Sequence, residues 1–317
     1  MTSDWRQGLP NGEGIDVLWD EPMAQHTTYK VGGSARAFIK LSNVESLSAT
    51  PDYVSSKHIP FLVIGNGSNV LFSDADFEGA VLQLAKGFDQ IALREGTLKD
   101  APVLSVGASL SVTKLIRFMK RQKISGVEYL GGVPGTVGGA VRMNAGTVMG
   151  EVSDTLLRAR VIVAGQEPRW LTTSELNLSY RHSDLPANAI VLEAEFACRV
   201  ADSETFERLD EVLRYRKKTQ PLQMPSCGSV FANPPGDHAG RLIEACGLKG
   251  ETVGGAQISE KHANWIVNLG QAKATDISEV GVGSLDDAHP SSMAREVSEG
   301  RLRPRCRRQS DGRSRDS

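Results

Sequence analysis

Cysteine, histidine and aromatic residues are scarce in this chain of 317 residues, and charge of either sign is nearly balanced. The four cysteines, Cys198, Cys227, Cys246 and Cys306, stand far apart, with no C-x-x-C pair and no histidines at ligand spacing. A zinc ribbon and a disulfide scaffold are therefore excluded as readings, and nothing suggests a metal. No apolar run is long enough to cross a bilayer, and Met1 opens no signal-peptide pattern, so a cytoplasmic protein with reduced thiols is expected. The formal net charge of −2 gives no electrostatic case for nucleic acid or a membrane surface as partner. That figure hides an asymmetry, because residues 301–317 hold seven arginines and two aspartates (+5), leaving −7 on the rest. No internal repeat is found, and the length suggests two or three domains.

Glycine, in contrast, is abundant and clustered. Residues 126–146, GVEYLGGVPGTVGGAVRMNAG, contain seven glycines and one proline. Glycine costs conformational entropy, so such a run needs a structural reason. One is a backbone that passes close to a ligand with N–H groups turned toward phosphate. A tight loop without a ligand is the competing reading. It weakens because a second loop of the same kind, Gly65-Asn66-Gly67-Ser68-Asn69, lies upstream.

Taken in order, residues 1–20 read as a loose arm. The apolar runs Ala37–Leu41 and Phe61–Ile64 read as strands, the latter running into the first glycine loop; Val70–Phe72, Ala80–Leu84 and Val103–Val106 follow. Strand, glycine loop, strand is not the dinucleotide fingerprint, which opens a helix, and a Rossmann fold is rejected. From Ser111, Val112, Leu115, Ile116 and Met119 recur at helical spacing, with Gly126 as the expected stop. Leu156–Val163 and Ala189–Val200 read as strands, the second with Ile190, Leu192, Ala194 and Phe196 on one face. A helix begins at Ser203, with Phe206, Leu209, Val212 and Leu213 inward. The segment 220–225 is the expected domain boundary, and Asp237 the expected cap of a short helix through Cys246.

Seven motifs in order give these segments a likeness. T-T-Y-K-V-G-G at 27–33, I-G-N-G-S-N at 64–69, G-V-P-G-T-V-G-G-A at 132–140, M-N-A-G at 143–146, S-Y-R-H-S at 179–183, G-S-V-F-A-N-P at 228–234 and G-G-A-Q-I-S-E-K-H-A-N-W-I-V-N at 254–268 resemble the UDP-N-acetylenolpyruvoylglucosamine reductase family. The resemblance covers residues 20–276. It implies an α+β fold: a two-subdomain FAD-binding unit of the PCMH/vanillyl-alcohol-oxidase type and a C-terminal α+β substrate-binding domain. The divisions expected are an arm at 1–20, FAD subdomains at 21–88 and 89–220, a substrate domain at 221–276 and an atypical basic tail at 277–317.

The family likeness implies reduction of UDP-N-acetylglucosamine enolpyruvate to UDP-N-acetylmuramate, a step of peptidoglycan precursor synthesis, by a monomer with NADPH as reductant. FAD would be held by Gly65, Asn66, Gly67, Ser68 and Asn69 and by Gly132, Pro134, Gly135, Thr136, Gly138, Gly139 and Ala140, with Asn144, Ala145 and Gly146 close by. It would be non-covalent, since neither loop contains histidine or cysteine. Arg181 is the candidate to stabilise the substrate carboxylate and enolate, because its fixed fork of donors stays charged. Ser229 is the candidate proton donor. Asn233, with Arg216 and Lys217, is the candidate substrate-binding set; the chain resembles the family's shorter form, without a substrate-domain tyrosine loop.

The C-terminus departs from the family. Arg305, in Leu302-Arg303-Pro304-Arg305-Cys306, stands where the family places a catalytic glutamate. Gly281, Gly283 and Pro290 would break the long helix expected before it. A frameshift explains an arginine-rich, patternless tail, and an authentic basic tail is the competing reading. If the tail is authentic, a flavin- and UDP-sugar-binding protein with little turnover is the alternative function. An oxidase of the same flavin fold fits the first half of the chain but not the residues around Ser229.

Overall fold

The computed structural model describes residues 5–94 and 102–282. Arg305, the frameshift and the family's long C-terminal helix concern residues outside that range.

The first sheet contains β1 (Ile15–Pro22), β2 (Ser34–Leu41), β3 (Phe61–Ile64) and β4 (Phe77–Leu84) in the order β1-β2-β4-β3. β1 runs antiparallel to β2, while β2 and β3 both lie parallel to β4. Residues 5–20 are therefore not a loose arm: Ile15–Trp19 pair in register with Ala37–Leu41, and Arg6 bonds Asp20. The parallel β3–β4 pair requires a crossover, which begins at the first glycine loop. Val70–Phe72, expected as a strand, lies in that connection without regular structure. Helix α1 (Val44–Ser56) packs Leu47 and Val54 under this sheet and starts on a reciprocal cap between Asn43 and Ser46.

The second sheet is antiparallel. It comprises β5 (Ile91–Arg94), β6 (Val103–Gly107), β7 (Leu156–Val163), β8 (Arg169–Thr172) and β9 (Ala189–Ala197), ordered β8-β7-β9-β6-β5. β9 does not keep one apolar face. Arg160 pairs with Glu193 but Val161 with Val191, so Leu192 is an extra residue, a bulge. Ile190 and Leu192 consequently pack with the first sheet's core, while Ala194 and Phe196 join the second core. One strand thereby seals two sheets.

Helix α2 (Val112–Gln122) buries Val112, Leu115, Ile116 and Met119 as its spacing predicts. It stops at Lys123, in the left-handed region at φ +54°, before Gly126 is reached. Helix α3 (Val137–Arg142) opens on Thr136, and helix α4 (Ser203–Thr219) begins at Ser203 as expected, capped by Asp202. Along α4, Leu209 is buried, with Phe206 and Leu213 packed beside it.

After residues 220–225 comes a small unit of β10 (Thr252–Val253), β11 (Ala256–Ile258) and β12 (Ile266–Asn268), an antiparallel sheet, with helices α5 (Ala239–Ala245) and α6 (Ala274–Val282). Asp237 does not cap α5. Its carboxylate accepts from His238 N–H and pairs with Arg241, and Ala239 N–H goes to Asn233 Oδ1 instead. Helix α6 continues through Gly281, where a Cβ would come within 3.0 Å of Ile266 Cδ1, so glycine serves packing there rather than a break. Cys198 and Cys227 are buried free thiols. Among the described residues no helix is long and apolar enough to cross a membrane, and no His/Cys/Asp/Glu group could hold a metal.

Candidate active site

The two glycine loops meet. Gly65 lies against Thr136, where a Cβ would come within 2.5 Å of the threonine Oγ1, and Ser68 Oγ donates to Pro134 O at 3.1 Å. Gly67 adopts φ +62°, and a Cβ there would lie 1.9 Å from His26 O. Glycine density thus has a reason inside the protein, namely backbones packed on backbones, besides any ligand. The side chain of Gln83 fixes the first loop by donating to Gly65 O at 2.7 Å. Thr136 Oγ1 accepts from Gly139 N–H at 3.4 Å and sets the entry to α3.

Some donors in this cradle are left over. The N–H groups of Asn66, Gly67, Ser68 and Asn69 meet no acceptor among the described residues. Arg216 Nε is buried without a partner and lies against Gly132, where a Cβ would come within 3.2 Å of it. Burial pushes the Arg216 guanidinium below its ordinary pKa. Free backbone N–H groups on one loop and a buried, unpartnered guanidinium nitrogen at the other suit an anion such as a pyrophosphate. The structure sets Arg216 beside Gly132 of the second glycine loop.

Asn144 joins the M-N-A-G and S-Y-R-H-S segments. It is buried in the left-handed region at φ +42°, donates to Ser179 O at 3.1 Å and accepts from Ser153 N–H at 2.8 Å. Ser179 and His182 exchange both backbone hydrogen bonds, so Tyr180 and Arg181 form a two-residue turn. Arg181 takes the position at φ +57°, uncommon for a side chain of its size. From there its Nη2 donates to Ser229 O at 3.2 Å. Burial pushes the arginine's pKa down, and the adjoining Tyr180 hydroxyl acts the other way.

Ser229 itself is exposed, bridged through its backbone to Trp265, and follows Gly228 at φ +78°. The segment around it is tied down residue by residue. Cys227 Sγ donates to Val70 O and meets Thr28 Oγ1, both at 3.3 Å, and burial raises its pKa to about 11. Phe231 exchanges hydrogen bonds of 2.8 Å with the Asn264 side chain in both directions. Asn233 N–H donates to the Tyr180 hydroxyl at 3.4 Å, while its side chain caps α5. Lys217 stands apart: its carbonyl accepts from Lys261 Nζ at 2.7 Å, beside a groove of about 430 Å³ that also holds Pro221 and Met224.

Sequence reasoning overlooked Tyr180, Cys227 and Asn264. Tyr180 and Asn264 lie inside quoted motifs, and Cys227 immediately precedes one; what the sequence does not carry is which segment each of them ties to which.

The chain is similar to known proteins over most of its length. Residues 35–171 match the FAD binding domain family, and residues 220–282 match the UDP-N-acetylenolpyruvoylglucosamine reductase, C-terminal domain family. The chain is 42% identical over 264 residues to the UDP-N-acetylenolpyruvoylglucosamine reductase of Halalkalibacterium halodurans, covering 83% of this chain and 86% of that one. It is 41% identical over 269 residues to the namesake from Myxococcus xanthus, covering 83% and 84%. The crystal structure of the Thermus caldophilus enzyme superposes with a TM-score of 0.72 at 37% identity, over 84% of this chain and 92% of that one. On these matches the chain belongs to the UDP-N-acetylenolpyruvoylglucosamine reductase family, with its FAD-binding fold and C-terminal domain.

Proposed function

We infer that the protein is an FAD-dependent oxidoreductase that uses NADPH to reduce UDP-N-acetylglucosamine enolpyruvate to UDP-N-acetylmuramate. The observation that carries this reading is the contact of Arg181 with the backbone of Ser229, 48 residues away. It joins an anion-binding cation to the backbone of the residue that carries the candidate hydroxyl, where the cradle meets the C-terminal unit. Family membership supports the substrate and the cofactor.

The residues present fit FAD. Gly65 to Asn69, and Gly132, Pro134 to Thr136 and Gly138 to Ala140, would hold it, with Asn144 to Gly146 and Arg216 beside them; the idle N–H groups and the unpartnered Arg216 Nε are what a pyrophosphate would satisfy. Neither loop offers a histidine or cysteine for covalent attachment. When bound, FAD supplies hydride to the β-carbon of the enolpyruvyl group and takes its electrons from NADPH.

Arg181 holds the substrate carboxylate and stabilises the enolate oxygens, a role that its forked, permanently charged group suits. Ser229 Oγ delivers the proton to the α-carbon. A hydroxyl is a weak acid, so it serves only a strongly basic carbanionic centre, and solvent at this exposed position replaces the proton lost. Asn233 and Lys217 are assigned to the UDP moiety. We assign the protein to the cytoplasm as a monomer, and its net charge of −2 offers no electrostatic attraction to nucleic acid or a membrane surface.

Anaerobic stopped-flow spectroscopy on the FAD-loaded protein tests the assignment. NADPH should bleach the flavin, and the enolpyruvyl sugar should restore its colour. Ser229→Ala should leave bleaching intact and slow recovery by ~10²–10⁴-fold. Recovery at the wild-type rate removes Ser229 from the chemistry, and a flavin indifferent to the enolpyruvyl sugar overturns the function.

A further inference from the structure

The turn that carries Arg181 sets a second functional group beside it. Tyr180 remains 56% exposed, so its ring contributes little to any core. Its hydroxyl oxygen accepts from Asn233 N–H at 3.4 Å and also neighbours the Arg181 guanidinium. A phenol has one proton and two acceptor positions. With its oxygen accepting from Asn233, its own O–H remains free to donate, and it meets no acceptor among the described residues. An exposed tyrosine with an occupied acceptor side and an idle donor, next to the anion-binding arginine, has the form of a ligand contact rather than a packing residue.

We propose that Tyr180 is a substrate-positioning residue whose O–H donates to the carboxylate of the enolpyruvyl group held by Arg181. The inference rests on the role given to Arg181 above. A guanidinium alone leaves a carboxylate free to pivot about the bond joining it to the α-carbon. A second donor from a different direction removes that freedom. It fixes the α-carbon relative to Ser229, whose carbonyl is bound to the same arginine. Because the contact is to the carboxylate, the UDP-sugar portion of the substrate is untouched by it.

The test is Tyr180→Phe, which keeps the ring and removes the hydroxyl, studied on the FAD-loaded protein with an unchanged flavin spectrum and melting temperature as the control for folding. Two ligands are compared by titration of the flavin absorbance: UDP-N-acetylglucosamine enolpyruvate, and UDP-N-acetylglucosamine, which lacks the carboxylate. A hydrogen bond to a charged group predicts about 10- to 100-fold weaker binding of the enolpyruvyl ligand in the variant. Affinity for UDP-N-acetylglucosamine and bleaching by NADPH should be unchanged. Equal losses for both ligands would mean that Tyr180 merely holds Asn233, and no loss for either would mean that its hydroxyl is idle; each overturns the proposal alone. A wild-type protein that binds the two ligands equally well instead overturns the reading of Arg181, and this inference with it.

Discussion

At the scale of single residues, Arg181 combines an unfavourable backbone with a partly buried cation, and such costs concentrate where geometry matters to function. Its planar fork can hold Ser229 O with one nitrogen and a carboxylate with the others, which an ammonium cannot reproduce. Arg181→Lys should therefore slow recovery of flavin colour by the enolpyruvyl sugar at least tenfold, with NADPH bleaching unaffected. Equal slowing of both phases would point to a disturbed cradle instead. Gly67→Ala should instead act on cofactor binding. Its methyl would collide with His26 O, so the loop must move, and weaker FAD retention on gel filtration is expected. Cys227 offers a separate check on packing. With its pKa raised to about 11 and its thiol bonded to Val70 O, the native protein should resist iodoacetamide at neutral pH and react once unfolded. Rapid labelling of Cys227 in the native state, read by peptide mass spectrometry, would contradict its burial.

At the scale of elements, what was legible in the sequence depended on whether one surface alone decided the pattern. Helix α2 has a single buried stripe and four apolar residues at the expected spacing, so it was readable. β9 was readable as a strand but not in its facing, because a bulge at Leu192 moves Ala194 and Phe196 to the face opposite Ile190 and Leu192, and a bulge leaves no mark on alternation. β1 was missed because one side of it meets solvent and Trp19 is itself 41% exposed, leaving its pairing with β2 as its only strong determinant. α1 carries Pro51 inside it, a residue that argues against a helix. At the start of α6, Asp276 Oδ2 accepts from Lys273 N–H at 2.9 Å and from Gly255 N–H at 3.0 Å, and these bonds hold its pKa below the ordinary 3.8. A folded pKa below the unfolded one means stabilisation that is complete above the unfolded value and lost as pH falls through the folded one. Asp276→Asn should thus be less stable than wild type at pH 7, with the two denaturant midpoints converging below about pH 4. A gap that persists at low pH would exclude the carboxylate as its origin.

At the scale of the whole molecule, the site is assembled from separate parts of the chain rather than built on one element. The first sheet contributes one glycine loop and the second sheet the other, and Ser68 with Pro134 and Gly65 with Thr136 close them together. The C-terminal unit is then secured to both: Asn268 Nδ2 donates to Tyr29 O at 2.8 Å, Asp74 accepts from the first N–H groups of α6, and Arg181 reaches Ser229. The motifs were readable one by one because each meets local backbone demands, whereas their convergence depends on contacts between residues up to 239 positions apart. A ligand that fits between the two loops binds only when they are joined, so its binding energy adds to the stability of the folded state. FAD present at about 100 times its dissociation constant should contribute about 2.7 kcal/mol. For a chain of this size that corresponds to a rise in Tm of roughly 5 °C. Differential scanning calorimetry of flavin-stripped protein should show this rise with FAD and a smaller one in Gly67→Ala at the same FAD concentration. If FAD leaves the melting of the wild-type protein unmoved, the cradle does not hold it, and the unpaired N–H groups of Asn66 to Asn69 then need another partner.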